Sequence, residues 1–363
     1  MRITIVGSGH GGCAMAAVMA KHGHAVSILK LGTSAHLENF EALEKQKAVK
    51  LLGIEGSGEF ALDVVGRDPS QSVPNADLLL VYYVANYHRF VAHTLAQYLH
   101  RGQTVVLNPG YAGSLIFKDE LQKLGNSSVP LFAEFETLPY SSRIVAPGSV
   151  SIVSRNVRHP FATYPASRSG YLVDKFKTVL GECVPRKHIL EVALHNPNLV
   201  IHTIGVLMNA SRVEDSRNKF SMYRDGFSPA VWNVVFALDA EKMAVLERIG
   251  APRIPYFDEF RLRTFEDTGI ESLKGFHNYA LEAPDGPFTV DHRYVTEDAP
   301  IGLGLLQSLG SLVGVPTPIC NSLLHLAAAM LPTTDIGGQI RTIPDIWPGS
   351  LDDLLAEISG VCC

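Results

Sequence analysis

The sequence predicts an α/β chain: an N-terminal doubly wound parallel sheet followed by a mostly helical C-terminal domain. Three observations predict it. Short apolar runs alternate with helical stretches through the first half, a glycine-rich turn separates the first run from the first helix, and strand signals nearly vanish after residue 181. At 363 residues the chain exceeds one ordinary core and suits two domains.

Taken in order, residues 3–6 are an apolar run ended by Gly7, the pattern of a buried parallel strand. A helix rich in Ala and Met is expected over 13–21 and a second strand over 25–29. Further strands are expected over 61–65, 78–82, 104–107 and 131–134, with helices over 40–52, 87–98 and 114–124. Such alternation with short connections implies a parallel sheet wound on both faces. The character changes at 181–186. Helices then follow over 197–213, 228–250 and 303–331, the last broken at Pro316 and Pro318, with a Pro-, Gly- and Asp-rich loop over 279–292. The boundary falls near residue 187, giving domains 1–187 and 188–363 with the active cleft expected between them.

Composition excludes several classes. Hydrophobic residues make up 46% and charged residues 18%, as in an ordinary folded protein. A net charge of −5 disfavours nucleic acid or an anionic membrane as partner. Cys13, Cys183, Cys320, Cys362 and Cys363 are odd in number and lack metal-site spacing, so neither a disulfide framework nor a metal is expected. No polybasic run precedes the Cys362-Cys363 pair, so lipidation is not expected there. MRITIV leads straight into the glycine turn, leaving no room for a signal peptide, and no apolar stretch reaches the ~18 residues of a membrane helix. A cytoplasmic protein with small-molecule partners is expected, a homodimer being compatible with this reading.

The turn Gly7-Ser8-Gly9-His10-Gly11-Gly12 is a G-x-G-x-x-G that follows a strand and opens a helix. That context is what separates a dinucleotide-binding Rossmann turn from a plain glycine-rich one. Gly7 allows the tight turn, Gly9 the approach of the pyrophosphate, and Gly12 the packing of helix on strand, while the helix dipole favours the phosphate charge. After the second strand stands Leu29-Lys30-Leu31-Gly32-Thr33-Ser34, with no acid to bind an adenosine ribose. Lys30, Thr33 and Ser34 are therefore candidates to receive a 2′-phosphate, favouring NADP(H) over NAD(H). The plainer reading makes Lys30 a solvated strand end. Val84-Ala85 and Asn108-Pro109 follow later strands at their carboxyl ends, where ligands bind in this fold; equally, each could be turn chemistry with Asn as a cap.

The second domain opens on His195-Asn196-Pro197-Asn198-Leu199-Val200-Ile201-His202. Asn196 caps and Pro197 occupies the first helical position, where its missing donor costs nothing. Helical spacing brings Asn198, His202 and Asn209 near one face of an otherwise apolar helix, and polar groups there need partners or a cleft. His202 is thus a candidate site residue, the alternative being a satisfied core histidine.

With these segments in view, the chain resembles the opine dehydrogenase family. The resemblance is carried by the N-terminal glycine motif, Asn108-Pro109-Gly110, Glu136-Thr137 with Arg143, and Asn196-Pro197-Asn198 through His202 to Asn209-Ala210. Arg293-Tyr294 with Glu297-Asp298 and Val315-Pro316-Thr317-Pro318 complete it, in family order over nearly the whole chain. The resemblance implies condensation of an amino acid with a 2-oxo acid, such as pyruvate or 2-oxoglutarate, and reduction of the imine with NAD(P)H. It assigns His202 as catalytic histidine and Asp298 as its carboxylate partner, with Glu297 the rival and a helix cap the plain reading of Asp298. A carboxylate beside imidazole fixes the tautomer and favours the charged form. Because opines carry two carboxylates, Arg293 and Arg143 are the expected guanidinium partners, with Arg212 and Arg224 behind them. Asn198 and Tyr279 complete the substrate candidates, within a group around Tyr223, Phe227, Trp232 and Phe276. Two other functions share the two-domain plan: a simple 2-oxo acid or ketopantoate-type reductase, and a non-catalytic NADP(H) sensor.

Overall fold

In the computed structural model, which describes residues 1–32, 34–215, 219–283 and 285–360, the chain forms two compact units, Met1–Ile189 and Leu190 onward. The first unit carries strands β1 (Arg2–Val6), β2 (Ala25–Leu29), β3 (Ala48–Gly53), β4 (Gly58–Ala61), β5 (Val65–Gly66) and β6 (Leu78–Val81). It continues with β7 (Thr104–Leu107), β8 (Leu131–Phe135), β9 (Tyr140–Ala146), β10 (Ser149–Arg155), β11 (Arg158–Tyr164) and β12 (Glu182–Pro185). Its helices are α1 (His10–Lys21), α2 (Leu37–Gln46), α3 (His88–Leu95), α4 (Gly113–Lys123) and α5 (Ser169–Leu180).

The main sheet has the order β12-β11-β8-β7-β6-β1-β2-β5. From β5 to β8 every neighbour is parallel. Chain direction across the sheet reverses at β1, which pairs β2 on one side and β6 on the other. That switch point is where a doubly wound sheet opens a crevice, and the glycine turn leaves β1 into it. The inner strands are apolar at nearly every position because helices cover both faces: Ile3, Ile5, Ile28, Leu78, Leu80 and Val106 are all buried. Beyond β8 the sheet turns antiparallel at β11, where Phe135 and Phe161 stack at 5.3 Å and Phe176 of α5 meets both edge-on.

A second sheet, of order β4-β3-β10-β9, departs from the sequence expectation. The helix expected over 40–52 stops at Gln46, with Lys47 left-handed at φ 50°, and Ala48–Gly53 is a strand. The strand expected over 61–65 is likewise divided between the end of β4 and the short β5. Sheet pairing supplies the reason: β3 lies parallel to β10, about a hundred residues on, so Val49, Leu51, Val150 and Ile152 bury together. Tertiary pairing of this kind overrides local helical patterning.

The second unit is helical from α6 (Ile189–Leu194) onward: α7 (Pro197–Leu207), α8 (Ala210–Asp215), α9 (Met222–Asp225), α10 (Pro229–Arg248), α11 (Tyr256–Thr264) and α12 (Ser272–Glu282). There follow α13 (Arg293–Thr296), a π-helical turn Asp298–Leu303, α14 (Gly304–Val313), α15 (Pro318–Met330), α16 (Ile343–Ile346) and α17 (Leu351–Ser359). Among its described residues the only β pairing is an isolated bridge between Ser221 and Gly286. The loop expected over 279–292 begins only after Glu282, and the helix expected over 197–213 is interrupted between Leu207 and Ala210. There the Asn209 amide donates to the carbonyls of Gly205 and Gly226, so Asn209 staples a helix end and does not line a face. No helix among the described residues is long and apolar enough to cross a membrane.

Candidate active site

In the first unit, the glycine turn is dictated by close contacts. A Cβ on Gly12 would lie 2.1 Å from the Gly7 carbonyl oxygen, so α1 packs directly on the turn that precedes it. Gly7 itself sits at φ 122°, and a Cβ there would meet the Tyr82 carbonyl oxygen at 2.6 Å. Gly9 caps α1 without a side-chain hydrogen bond, so the first turn presents backbone donors and the positive dipole end to a ligand. Asn39 steadies the turn, donating to the Ser8 carbonyl and accepting from Gly148 N. His10 accepts from Ile144 N at 2.9 Å and meets His36 edge-on at 4.8 Å.

Beside it, Ala85 is buried at the head of a short turn with Val84 half-buried before it. Asn108 is buried next to Tyr82, to which it is hydrogen-bonded, and its Oδ1 has no partner. An orphaned buried acceptor of this kind is what a bound carboxamide or hydroxyl would satisfy. The loop that follows is held by Glu134, whose carboxylate accepts from Ala112 N at 2.8 Å and Ser114 N at 2.9 Å. Tyr111 and Ala112 are consecutive left-handed residues at φ 50° and 59°, a strain that Glu134 sustains. Nothing in the spacing of Glu134 marks it in the sequence, since it reads as one position of a strand.

At the end of β2 neither expectation for Lys30 describes what is found. Lys30 is 2% exposed, and its Nζ donates to the Ala35 carbonyl at 2.5 Å beneath the turn that follows. Burial, with Arg67 nearby, pushes its ammonium below the ordinary lysine value. Ser34 is exposed, and Thr33 lies outside the described residues. The exposed charge here is Arg67, just beyond β5, with its guanidinium 4.7 Å over the Phe40 ring. The turn and its surroundings fit a dinucleotide: a glycine cradle that any Cβ would fill, an uncapped helix start and an unpaired buried acceptor.

In the second unit, Asn196 accepts from Asn198 N and Pro197 starts α7, setting the phase that turns His202 inward. His202 is 4% exposed. Its Nδ1 donates to Asp298 Oδ2 at 2.8 Å, and its Nε2 lies 2.8 Å from the Tyr223 hydroxyl. The Tyr294 ring stacks on the imidazole at 3.5 Å between centroids, held there as the Thr203 hydroxyl donates to the Tyr294 carbonyl. Asp298 is fully buried at the start of the π-helical turn, which contains Pro300 and so lacks one helical donor. Its carboxylate faces His202 rather than serving as a cap.

Glu297 pairs with Arg293, whose Nε donates to Oε2 at 2.9 Å. That removes Glu297 as the rival partner of His202 and holds the Arg293 guanidinium above its ordinary pKa. The Nη groups of Arg293 have no hydrogen-bond partner among the described residues. For His202, burial is the largest influence and pushes its pKa below the ordinary value; Asp298 opposes this and Arg293 adds to it. Asp298 acts on the His202 pKa in the expected direction, and burial acts against it.

Tyr279 meets Tyr223 edge-on at 5.4 Å, and Phe276, Phe227 and Trp232 continue an aromatic group beside it. Gly205, one turn after His202, permits this: a Cβ there would lie 2.6 Å from Met222 Sδ, so α9 closes on α7. Asn198 is half-buried at the start of α7. Arg143 belongs to the first unit, exposed on β9, where its Nη1 donates to the Ser142 carbonyl. Arg212 is exposed and donates to the Asp225 carbonyl, and Arg224 pairs with Asp285, so neither joins His202. Among the described residues no cluster of metal-ligating side chains occurs.

Residues 185–331 match the profile of the NAD/NADP octopine/nopaline dehydrogenase α-helical domain. The chain is 29% identical over 343 residues to an opine dehydrogenase of Arthrobacter sp. (strain 1C), covering 93% of each. Its fold is similar to octopine dehydrogenase solved with NADH and L-arginine, at a TM-score of 0.77 and 17% identity over 99% of this chain and 98% of that one. Yersinopine dehydrogenase with NADP+ bound is similar at a TM-score of 0.70 and 14% identity, over 99% and 98%.

Proposed function

We propose that the chain, an NAD(P)-dependent oxidoreductase similar to the opine dehydrogenases, joins an amino acid to a 2-oxo acid by reducing the imine between them. The observation that carries the proposal is the buried His202–Asp298 pair at 2.8 Å with Arg293 beside it. Bound at the glycine turn, NAD(P)H supplies the hydride. The chain's own residues then manage charge and protons. Arg293 takes a substrate carboxylate in its fork, which screens the cation acting on His202. Asp298 holds the Nδ1 proton and so presents Nε2 as the working nitrogen. The imidazolium is the proton source for the reacting centre: its proton goes to the carbinolamine hydroxyl, which leaves as water, the iminium nitrogen so formed returns a proton to the imidazole, and that proton is delivered to the nitrogen as the carbon is reduced.

The reading distinguishes itself from that of a plain 2-oxo acid reductase by its need for amine. NADPH oxidation is expected to depend on an amino acid when pyruvate or 2-oxoglutarate is supplied across a panel of amines. An equal rate without any amine would identify a 2-oxo acid reductase instead.

For the cofactor we propose NADP(H) in preference to NAD(H), because no carboxylate stands at the end of β2 and Arg67 and Ser34 are exposed there. Arg67→Ala is expected to weaken NADPH binding about tenfold, equivalent to roughly 1.5 kcal/mol for one exposed charge-assisted contact, and to leave NADH unchanged. Fluorescence titration of both cofactors measures it. Equal dissociation constants for the two cofactors in the unaltered protein would contradict the preference.

A further inference from the structure

Neither ring nitrogen of His202 is open to a substrate. Asp298 holds Nδ1 and the Tyr223 hydroxyl stands on Nε2, both at 2.8 Å, while Tyr294 covers a face of the ring. His202 is buried, whereas the Tyr223 ring is half-buried and forms part of a half-exposed aromatic edge with Tyr279, Phe227 and Trp232. Tyr223 thus joins the His202 imidazole to that edge. We infer that Tyr223 is a catalytic residue of the proposed reaction, carrying the proton from His202 Nε2 to the substrate heteroatom; the inference rests on the functional reading above.

The protons balance over two hydrogen bonds. The Tyr223 hydroxyl also bonds the Tyr294 side chain; in the imidazolium, Nε2–H donates to the Tyr223 oxygen, and the Tyr223 O–H exchanges Tyr294 for the substrate. As the substrate carbon is reduced, its heteroatom gains basicity and takes the Tyr223 proton. The O–H bond breaks, the Nε2 proton replaces it, and His202 is left neutral with Asp298 still ionised. Burial and the neighbouring tyrosines hold the Tyr223 hydroxyl well above the usual phenol range, so it passes a proton on without persisting as phenolate. The arrangement meets the first requirement of proton transfer, hydrogen-bond reach at each step that the protein itself supplies. Gly205 and the short α9 fix it by bringing residues 202 and 223 together.

Tyr223→Phe keeps the ring and its edge contacts while removing the hydroxyl. Turnover is expected to fall about tenfold with the melting temperature and cofactor affinity unchanged. The dependence of rate on deuterium fraction in the solvent is expected to be curved in the parent, where two protons move, and linear in Tyr223→Phe, where one does. A merely structural tyrosine would not alter that shape. Tyr223→Phe with unchanged or raised turnover and a lower KM would identify the hydroxyl as a plug that substrate displaces, and would overturn the proposal. A further measurement needs no substrate: the 15N resonance of His202 Nε2 should move in Tyr223→Phe while Nδ1 stays, and an unmoved Nε2 overturns the contact on which the relay depends. If the unaltered protein reduces a 2-oxo acid with no amine, the reading of the reaction fails, and the same variant tests the relay on that reduction.

Discussion

His202→Ala is expected to lower turnover by about 10²–10⁴-fold, the range that a positioned acid–base group supplies, with NADPH binding intact. The substitution removes the proposed proton donor from the second unit and leaves the glycine turn untouched. Steady-state turnover against the NADPH dissociation constant separates the two effects. The loss should appear in turnover and in kcat/KM together, because the proton is transferred in the transition state and not in binding. Near-normal turnover in His202→Ala would mean that the proton donor lies elsewhere.

Asp298→Asn is expected to lower turnover about 10²-fold while keeping the shape of the site. The carboxylate raises the His202 pKa against burial, so its loss lets burial lower that value further. The sign for the pH profile follows from the charged form being the donor. Reductive turnover is present below the His202 pKa and is lost as pH rises through it, so the alkaline fall moves to lower pH in Asp298→Asn. A profile that stays in place would show that Asp298 does not set the His202 charge. Glu297→Gln serves as the contrast. Its carboxylate orients Arg293, so it should raise the KM of the carboxylate substrate more than it lowers turnover.

Much of this site could be read along the chain because its parts are local. The glycine turn sits between an apolar strand and a helix, and Asn196-Pro197 starts α7 in a phase that fixes His202 inward. Asp298 was reached through resemblance, since its plain reading as a cap before Pro300 gives no hint of a partner 96 residues earlier. Tyr223 could only be grouped with other aromatics, because its meeting with His202 depends on Gly205 admitting α9. The second sheet was hidden for a similar reason. Ala48–Gly53 continues the apolar spacing of α2, and its pairing with β4 on one side and with the distant β10 on the other makes it a strand. Lys30 reads as a strand end, and its burial comes with a hydrogen bond that its Nζ donates to the Ala35 carbonyl. Nothing in the spacing of Arg67 marks it in the sequence, because the strand before it is two residues long.

The most direct test of the central claim is the mass of the product formed from a 15N-labelled amino acid, a 2-oxo acid and NADPH deuterated at the transferring position. The account predicts one secondary amine that retains the 15N label, gains one deuterium at the former carbonyl carbon, and forms only while the amino acid is consumed. Unconsumed amino acid beside a deuterated 2-hydroxy acid would contradict it, and would make the chain a 2-oxo acid reductase built on the same fold.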